Sequence, residues 1–91
     1  MGPVTQAIRD KLTIAFHPLI LEVVDDSARH AGHAGNKGGG ESHFNVVIVS
    51  DAFQGQGRVQ RQRAVYGALA EELAGPVHAL SLKVFAPGEQ A

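Results

Sequence analysis

The residues best suited to chemistry in this chain are its five histidines, four of which lie between His17 and His43. Cysteine is absent, which excludes disulfides, thiol nucleophiles and a redox dithiol within the chain. A soft metal centre or an iron–sulfur cluster would therefore need thiolates from another molecule. Histidines are accordingly the first candidates for ligands.

Two of the histidines, His30 and His33, are spaced H-x2-H within segment 27–42, which reads SARHAGHAGNKGGGES. This segment has no hydrophobic periodicity and is longer than most structureless loops, which at this length are functional or disordered. A zinc site needs three or four ligands, so the pair alone is incomplete. The alternatives are two solvated histidines in a flexible loop, or a zinc site completed by a third histidine.

The fifth histidine, His78, stands where the last strand is predicted to begin, with the parity of the apolar residues that follow it. An imidazole held there on rigid backbone could ligate a metal in its neutral form. The alternative is a hydrogen-bonded histidine at the sheet margin. His43 opens the preceding predicted strand and is either another ligand or a neighbour, whereas His17 comes just before Pro18 at a helix end.

Positive charge is concentrated in the sequence RVQRQR, which contains Arg58, Arg61 and Arg63. These arginines could contact phosphates, although the formal net charge of −1 indicates no general attraction to nucleic acid. A solvated helix face is the alternative, and the positive end of the helix dipole is a slightly unfavourable place for cations. No nucleophile triad or paired carboxylates stand out, so we do not expect an enzyme.

Periodic patterns predict the elements that must position these residues. Apolar residues four apart predict a helix from Pro3 to Phe16 that Pro18 ends, and β-branched runs predict strands at 19–26 and 43–50. Asp51 is expected to cap a short turn. A second helix is predicted at 58–74, ended by Gly75 and Pro76, with its apolar stripe formed by Val59, Val65, Tyr66, Leu69 and Leu73. Alternation predicts a last strand at 77–85.

This order predicts an α+β fold of αββαβ type, with helices on one face of a three-stranded mixed sheet. The first two strands are expected to be antiparallel and the third parallel to the second, an order shared with the type II KH-like fold. We expect a single domain over 1–91, with the long loop at 27–42 and a short tail at 86–91. We find no apolar run of bilayer length and no secretion signal, so we expect a soluble protein of the cytoplasm or an organelle matrix.

The chain resembles the BolA family, and the resemblance extends from Val4 to Pro87. The matching strings occur together in order: LEVVDDS at 21–27, ESHF at 41–44, VVIVSDAF at 46–53, the spaced pattern F-x-G-x3-V-x-R-x-R from Phe53 to Arg63, VYGALAEEL at 65–73 and VHALSL at 77–82. Such co-occurrence makes the resemblance specific.

The resemblance implies a KH-like adaptor that forms a heterodimer with a monothiol glutaredoxin and shares a [2Fe–2S] cluster with it. By position, the family's ligands correspond to His78 and to the loop residue His30, while a glutaredoxin cysteine and glutathione supply the sulfur donors. The isolated chain, a monomer or weak homodimer, is then expected to bind no cluster. The family is also described as transcriptional regulators, so DNA is the alternative partner.

Two departures from the family pattern affect these expectations. The family's R-H-R centre reads Arg61-Gln62-Arg63 here, and an amide can replace the hydrogen bond of an imidazole but not its charge. The loop is also longer than in many members, and His33 competes with His30 as the loop ligand. If imidazoles bind the cluster, acidification through about pH 6 should weaken it, because only neutral imidazole binds metal.

Overall fold

The computed structural model describes residues 2–26 and 42–89. Segment 27–41, which contains the predicted loop ligand His30 and its competitor His33, lies outside the described residues. The described elements follow the order helix α1 (Pro3–Phe16), strand β1 (Ile20–Asp25), strand β2 (His43–Val49), a 3₁₀ turn (Asp51–Phe53), helix α2 (Arg58–Ala68), helix α3 (Ala70–Ala74) and strand β3 (Ala79–Phe85).

Helix α1 begins and ends as its sequence predicts. Pro3 stands in the first turn, where its missing N–H costs nothing, and the apolar stripe buries Ile8 and Leu12 completely. The helix ends at His17, which adopts left-handed backbone angles (φ 45°, ψ 58°) and donates its backbone N–H to the Thr13 carbonyl at 2.9 Å. Pro18 then prevents a further turn.

The three strands form one mixed sheet in the order β1-β2-β3. Strand β1 pairs with β2 antiparallel and β2 pairs with β3 parallel, so the predicted topology is confirmed. Alternate residues of β2, namely Phe44, Val46 and Ile48, are buried on one face, where they meet Ile8 and Leu12 of α1. The helices therefore cover one face of the sheet, as expected for this fold class.

The second half of the chain departs from the prediction of one helix over 58–74, which is wrong. The chain forms α2 and α3 with a break at Leu69 (φ −107°, ψ 21°), whose N–H is shared by the carbonyls of Val65 and Tyr66. The predicted apolar stripe nevertheless continues through the break, because Val65, Leu69 and Leu73 all pack in or against the core. Val65 and Leu69 are buried, whereas Val59 is 60% exposed and Tyr66 is 38% exposed.

The turn after β2 is capped differently from the prediction. The Ser50 hydroxyl, and not Asp51, accepts the N–H of Ala52 at 3.1 Å. This turn directs Phe53 into the core, where it is 1% exposed and lies 4.9 Å from the Phe16 ring, centroid to centroid. Gly55 follows with φ 76°, a conformation that favours glycine. No helix among the described residues has the length and apolarity to cross a membrane.

Candidate metal-ligand site and basic groove

One end of the sheet gathers the candidate ligands. Because β2 and β3 are parallel, their first residues lie side by side, and His43 is in register with Ala79. Strand β1 is antiparallel and ends at the same place, where the Asp26 N–H donates to the His43 carbonyl at 2.7 Å. Asp26 and Ser42, which flank segment 27–41, therefore share one edge of the molecule with the imidazoles of His43 and His78.

His78 combines a fixed backbone with an exposed side chain. Its N–H donates to the Ser42 carbonyl at 2.8 Å, and the N–H of Ala79 donates to the same oxygen at 3.1 Å. The preceding residue, Val77, is buried and donates its N–H to the Glu72 carbonyl at 2.9 Å. Strand β3 consequently begins at Ala79 and not at the predicted residue 77, and the pleat of the strand does not dictate where the exposed His78 ring points.

A second imidazole lies beside His78. The ring centroids of His43 and His78 are 6.4 Å apart, and their planes are inclined by 30°. His43 is half-buried, and its Nδ1 lies 3.0 Å from the Ser42 hydroxyl oxygen. If Nδ1 carries the proton and donates it to that hydroxyl, Nε2 is the unprotonated nitrogen of the ring.

The structure therefore locates some, but not all, of the histidines that the sequence offers as metal ligands. The structure brings His43 to His78, whereas His17 lies where β1 begins, beside the other end of β2. Over residues 2–26 and 42–89, no cluster of three or more histidine, cysteine, aspartate or glutamate side chains could hold a metal ion. The roles of His30 and His78 as ligands stay predictions.

Two of the candidate arginines, Arg58 and Arg61, lie near the opposite end of β3, and Arg61 is already engaged there. Its guanidinium forms a two-pronged ion pair with Glu89, with Nη1 2.5 Å from Oε1 and Nη2 3.0 Å from Oε2. It also donates to the carbonyls of Gln56 at 2.9 Å and Val84 at 3.4 Å. These contacts give Arg61 a structural reason to occupy the first turn of α2, against the helix dipole.

The Arg61–Glu89 ion pair shifts the pKa of each partner in the direction that favours its charged form. The hydrogen bonds from Arg61 and then from the Ala86 N–H hold the pKa of Glu89 at about 2, below its ordinary value of 4.5. The bond to Glu89 raises the pKa of Arg61. Glu89 is not among the residues predicted from the sequence, although the Pro87-Gly88 turn signal before it could have indicated a chain reversal.

A basic groove lies between α2 and β3 beside this ion pair. It has a volume of about 710 Å³, and its lining includes Arg58, Arg61, Gln62 and Lys83. Arg58 and Arg63 are exposed, whereas the Arg61 side chain is 13% exposed. A phosphate could reach the first two without rearrangement, but contact with Arg61 would have to displace Glu89. The role of all three arginines in nucleic-acid binding stays a prediction.

The chain is thus an α+β domain in which one end of a three-stranded mixed sheet carries histidines. The family model described as "BolA-like protein" matches residues 12–89, and the chain belongs to this family. It is 48% identical over 88 residues to BolA-like protein 1 of Mus musculus, covering 97% of this chain and 61% of that protein. The chain thus spans about three fifths of the length of that relative.

Two further comparisons agree with this family. The chain is 49% identical over 82 residues to the DNA-binding transcriptional regulator BolA of Escherichia coli (strain K12), covering 90% of this chain and 74% of that protein. The structure superposes on the BolA domain of SufE1 from Arabidopsis thaliana with a TM-score of 0.86 at 46% identity, covering 99% of each chain. The family expected from the sequence is therefore confirmed.

Proposed function

We propose that this chain is a non-catalytic adaptor that shares a [2Fe–2S] cluster with a monothiol glutaredoxin in cluster trafficking, maturation or sensing. The observation that carries the proposal is the sheet end where the exposed His78, fixed through its backbone to Ser42, lies at the same edge as Asp26 and Ser42, the residues that flank segment 27–41. His78 is the anchored ligand and His30 the ligand from the loop.

The donors of this chain fit half of such a site. A [2Fe–2S] cluster takes four protein or thiol ligands, and one iron can be held by two histidines. This chain has histidines and no cysteine, so a glutaredoxin cysteine and the thiol of glutathione supply the other two ligands. Histidine ligation of one iron raises the reduction potential of the cluster relative to an all-cysteine site and makes binding sensitive to protonation.

Chain length permits His30 to meet His78. His30 follows Asp26 by four residues, and four extended residues span at most about 14 Å. Strand β1, which leads to Asp26, is two strand spacings from β3, roughly 10 Å. His33 is within reach by the same reckoning, and His43 already lies beside His78. The loop ligand is therefore to be identified by substitution.

The test is to mix the chain with cluster-loaded glutaredoxin and glutathione and to record visible absorption and circular dichroism. We expect His78→Ala to change the spectrum of the mixed cluster and to shorten its lifetime. His17→Ala is the matched control, because His17 is also an exposed histidine but lies where β1 begins, beside the far end of β2. His30→Ala, His33→Ala and His43→Ala then identify the second ligand.

The result against this proposal is specific. If His78→Ala and His17→Ala give the same spectrum and the same lifetime as the unaltered chain, His78 is not a ligand. If all three of the other histidine variants also retain the spectrum, histidine ligation by this chain is refuted. A lifetime of the mixed cluster that does not change between pH 8 and 5.5 would also refute histidine ligation, because protonated imidazole cannot bind metal.

Nucleic-acid binding is the second candidate function, favoured by the exposure of Arg58, which lines the basic groove, and of Arg63 on the same helix. The relative from Escherichia coli named as a DNA-binding transcriptional regulator adds support. If these arginines contact phosphates, log affinity for duplex should fall with log salt by about 0.9 per contact. Arg58→Ala with Arg63→Ala should reduce that slope by about two, and an unchanged slope would exclude this surface.

A further inference from the structure

The basic groove between α2 and β3 follows the outer edge of the sheet. Strand β3 is last in the order β1-β2-β3, and no further strand in the described part of the chain pairs with its outer side. The Ser50 N–H donates to the Phe85 carbonyl, so Phe85 directs its backbone groups toward β2. Because these directions alternate along a strand, Leu82 and Val84 direct theirs away from the sheet. Arg61 reaches the Val84 carbonyl from that side at 3.4 Å, which agrees with this assignment.

This edge can accept one more strand. The Val84 carbonyl already accepts from Arg61, whereas no described residue pairs with the outward backbone groups of Leu82. An edge strand of this kind pairs with an extended peptide, whose backbone supplies both donors and acceptors. The backbone of a nucleic acid offers phosphate acceptors and no matching donor for the Leu82 carbonyl. The backbone pattern therefore favours a peptide as the occupant.

The charge of the groove favours an acidic peptide. Its lining contains Arg58, Arg61 and Lys83 against the single carboxylate of Glu89, which is three positive charges against one negative. Arg58 and Lys83 are exposed, and neither forms an ion pair with a described residue. The rest of the lining is partly apolar and includes Leu82, Val84 and Phe85. Two cations thus remain for a partner that also brings apolar side chains.

The groove already holds one carboxylate of the chain itself. Glu89 accepts two hydrogen bonds from the Arg61 guanidinium, and its Oε1 also accepts the Ala86 N–H at 2.8 Å. Carboxylates are therefore a chemistry that this lining binds in the folded chain. A second acidic group would find Arg58 and Lys83 first and would compete with Glu89 for Arg61.

We propose that the basic groove binds an extended acidic segment of another protein, which pairs with β3 as an additional strand. Lys83 lies on the face opposite the helices, because its neighbours Leu82 and Val84 pack against the core. Successive side chains of the added strand point to opposite faces. One acidic side chain then points toward Arg58 on the helix side and the next toward Lys83. The preferred sequence is a pair of adjacent acidic residues flanked by β-branched residues, which favour strands.

A titration followed by nuclear magnetic resonance tests this arrangement on the metal-free chain. The probe is the peptide acetyl-VTEEVT-amide, and acetyl-VTQQVT-amide is its uncharged match. We expect the amide protons of Leu82 and Val84 to shift and to exchange more slowly with solvent as the acidic peptide is added, because a strand partner supplies their acceptors. The glutamine peptide should bind about tenfold more weakly or less, because it cannot pair with Arg58 and Lys83.

Peptide variants separate strand pairing from attraction of charges. Only alternate residues of the added strand direct their N–H toward β3. Methylation of that set of backbone nitrogens should therefore abolish binding of acetyl-VTEEVT-amide, whereas methylation of the other set should leave it. A ligand held by charge alone would tolerate both sets.

Three variants of the chain test the lining of the groove. Arg58→Glu should weaken binding of the acidic peptide about tenfold or more, because it sets like charges together. Arg63→Glu is the matched comparison, since Arg63 is exposed on the same helix but does not line the groove, and it should have a smaller effect. Glu89→Gln should strengthen binding about threefold, because it removes the carboxylate that competes for Arg61. Circular dichroism of each variant checks that the fold is retained.

Four outcomes would overturn the proposal. The amides of Leu82 and Val84 could stay unshifted at 5 mM acidic peptide, or the acidic and glutamine peptides could bind equally. Both N-methylated peptides could bind as well as the parent. A hexamer of deoxythymidine could shift the same amides and displace the peptide at a lower concentration, which would assign the groove to nucleic acid. None of these measurements involves a cluster or glutaredoxin, so the result is independent of the proposed adaptor function.

Discussion

Ser50 is the residue whose replacement tests the packing most directly. It is 1% exposed, and its hydroxyl donates to the Phe16 carbonyl at the end of α1 and accepts the N–H of Ala52. Its own N–H donates to the Phe85 carbonyl at 3.0 Å. One side chain thus joins the end of α1, the end of β2 and the 3₁₀ turn, while the backbone joins β3.

The cost of Ser50→Ala follows from these contacts. The backbone bond to Phe85 persists, but the Phe16 carbonyl and the Ala52 N–H both lose their partner. Loss of a turn-capping hydroxyl costs about 1 kcal/mol, and the part-buried Phe16 carbonyl left unpaired costs about 1 to 2 kcal/mol. We expect a decrease of about 2 to 3 kcal/mol in the free energy of unfolding, or roughly 10 to 20 °C in Tm for a domain of this size.

Urea denaturation followed by far-ultraviolet circular dichroism measures this loss. The slope of the transition should stay constant while the midpoint falls, because the fold is retained. Ser81→Ala is the control, since Ser81 is exposed on β3 and should change stability by less than about 0.5 kcal/mol. A decrease below about 0.5 kcal/mol for Ser50→Ala at an unchanged slope would refute the argument that Ser50 joins these elements.

Three further substitutions have definite expected outcomes. The pKa of Glu89 is held near 2, so the Arg61–Glu89 ion pair stabilises the fold fully above pH 4.5 and this stabilisation is lost as the pH falls through about 2. Glu89→Gln should therefore remove this part of the acid-unfolding profile. Glu72→Gln should lower Tm more than Glu71→Gln, because Lys11 contacts both carboxylates but the Glu72 side chain is 10% exposed and that of Glu71 is 87% exposed. His17→Gly should raise stability in urea by about 0.5 to 1 kcal/mol, because glycine adopts left-handed angles without strain.

Elements with strong local patterns could be predicted from the sequence. The alternation of Phe44, Val46 and Ile48 gave the buried face of β2, and Pro3 and Pro18 bounded α1. The break at Leu69 could not be predicted, because the periodicity of the neighbouring residues continues across it. Leu69 itself is buried in the core, and tertiary packing of this kind can override local helix propensity.

The candidate site was predictable in the identity of its residues but not in their assembly. The position of His78 at a strand boundary follows from the pattern around it. Its closeness to His43 depends on the parallel register of β2 and β3, which no local pattern encodes. The Arg61–Glu89 pair joins residues 28 positions apart and likewise needed the folded chain.

Strand β3 separates the two candidate functions in space. His78 precedes its first residue, whereas Arg61 contacts the Val84 carbonyl near its last. Six residue steps place these ends about 20 Å apart, which is more than the Debye length of about 8 Å at physiological salt. Charge changes at the histidine end therefore have little direct effect on the arginines. Any influence of a bound cluster on nucleic-acid binding would have to move β3 itself, whose backbone is held at both ends by hydrogen bonds to Ser42 and Ser50.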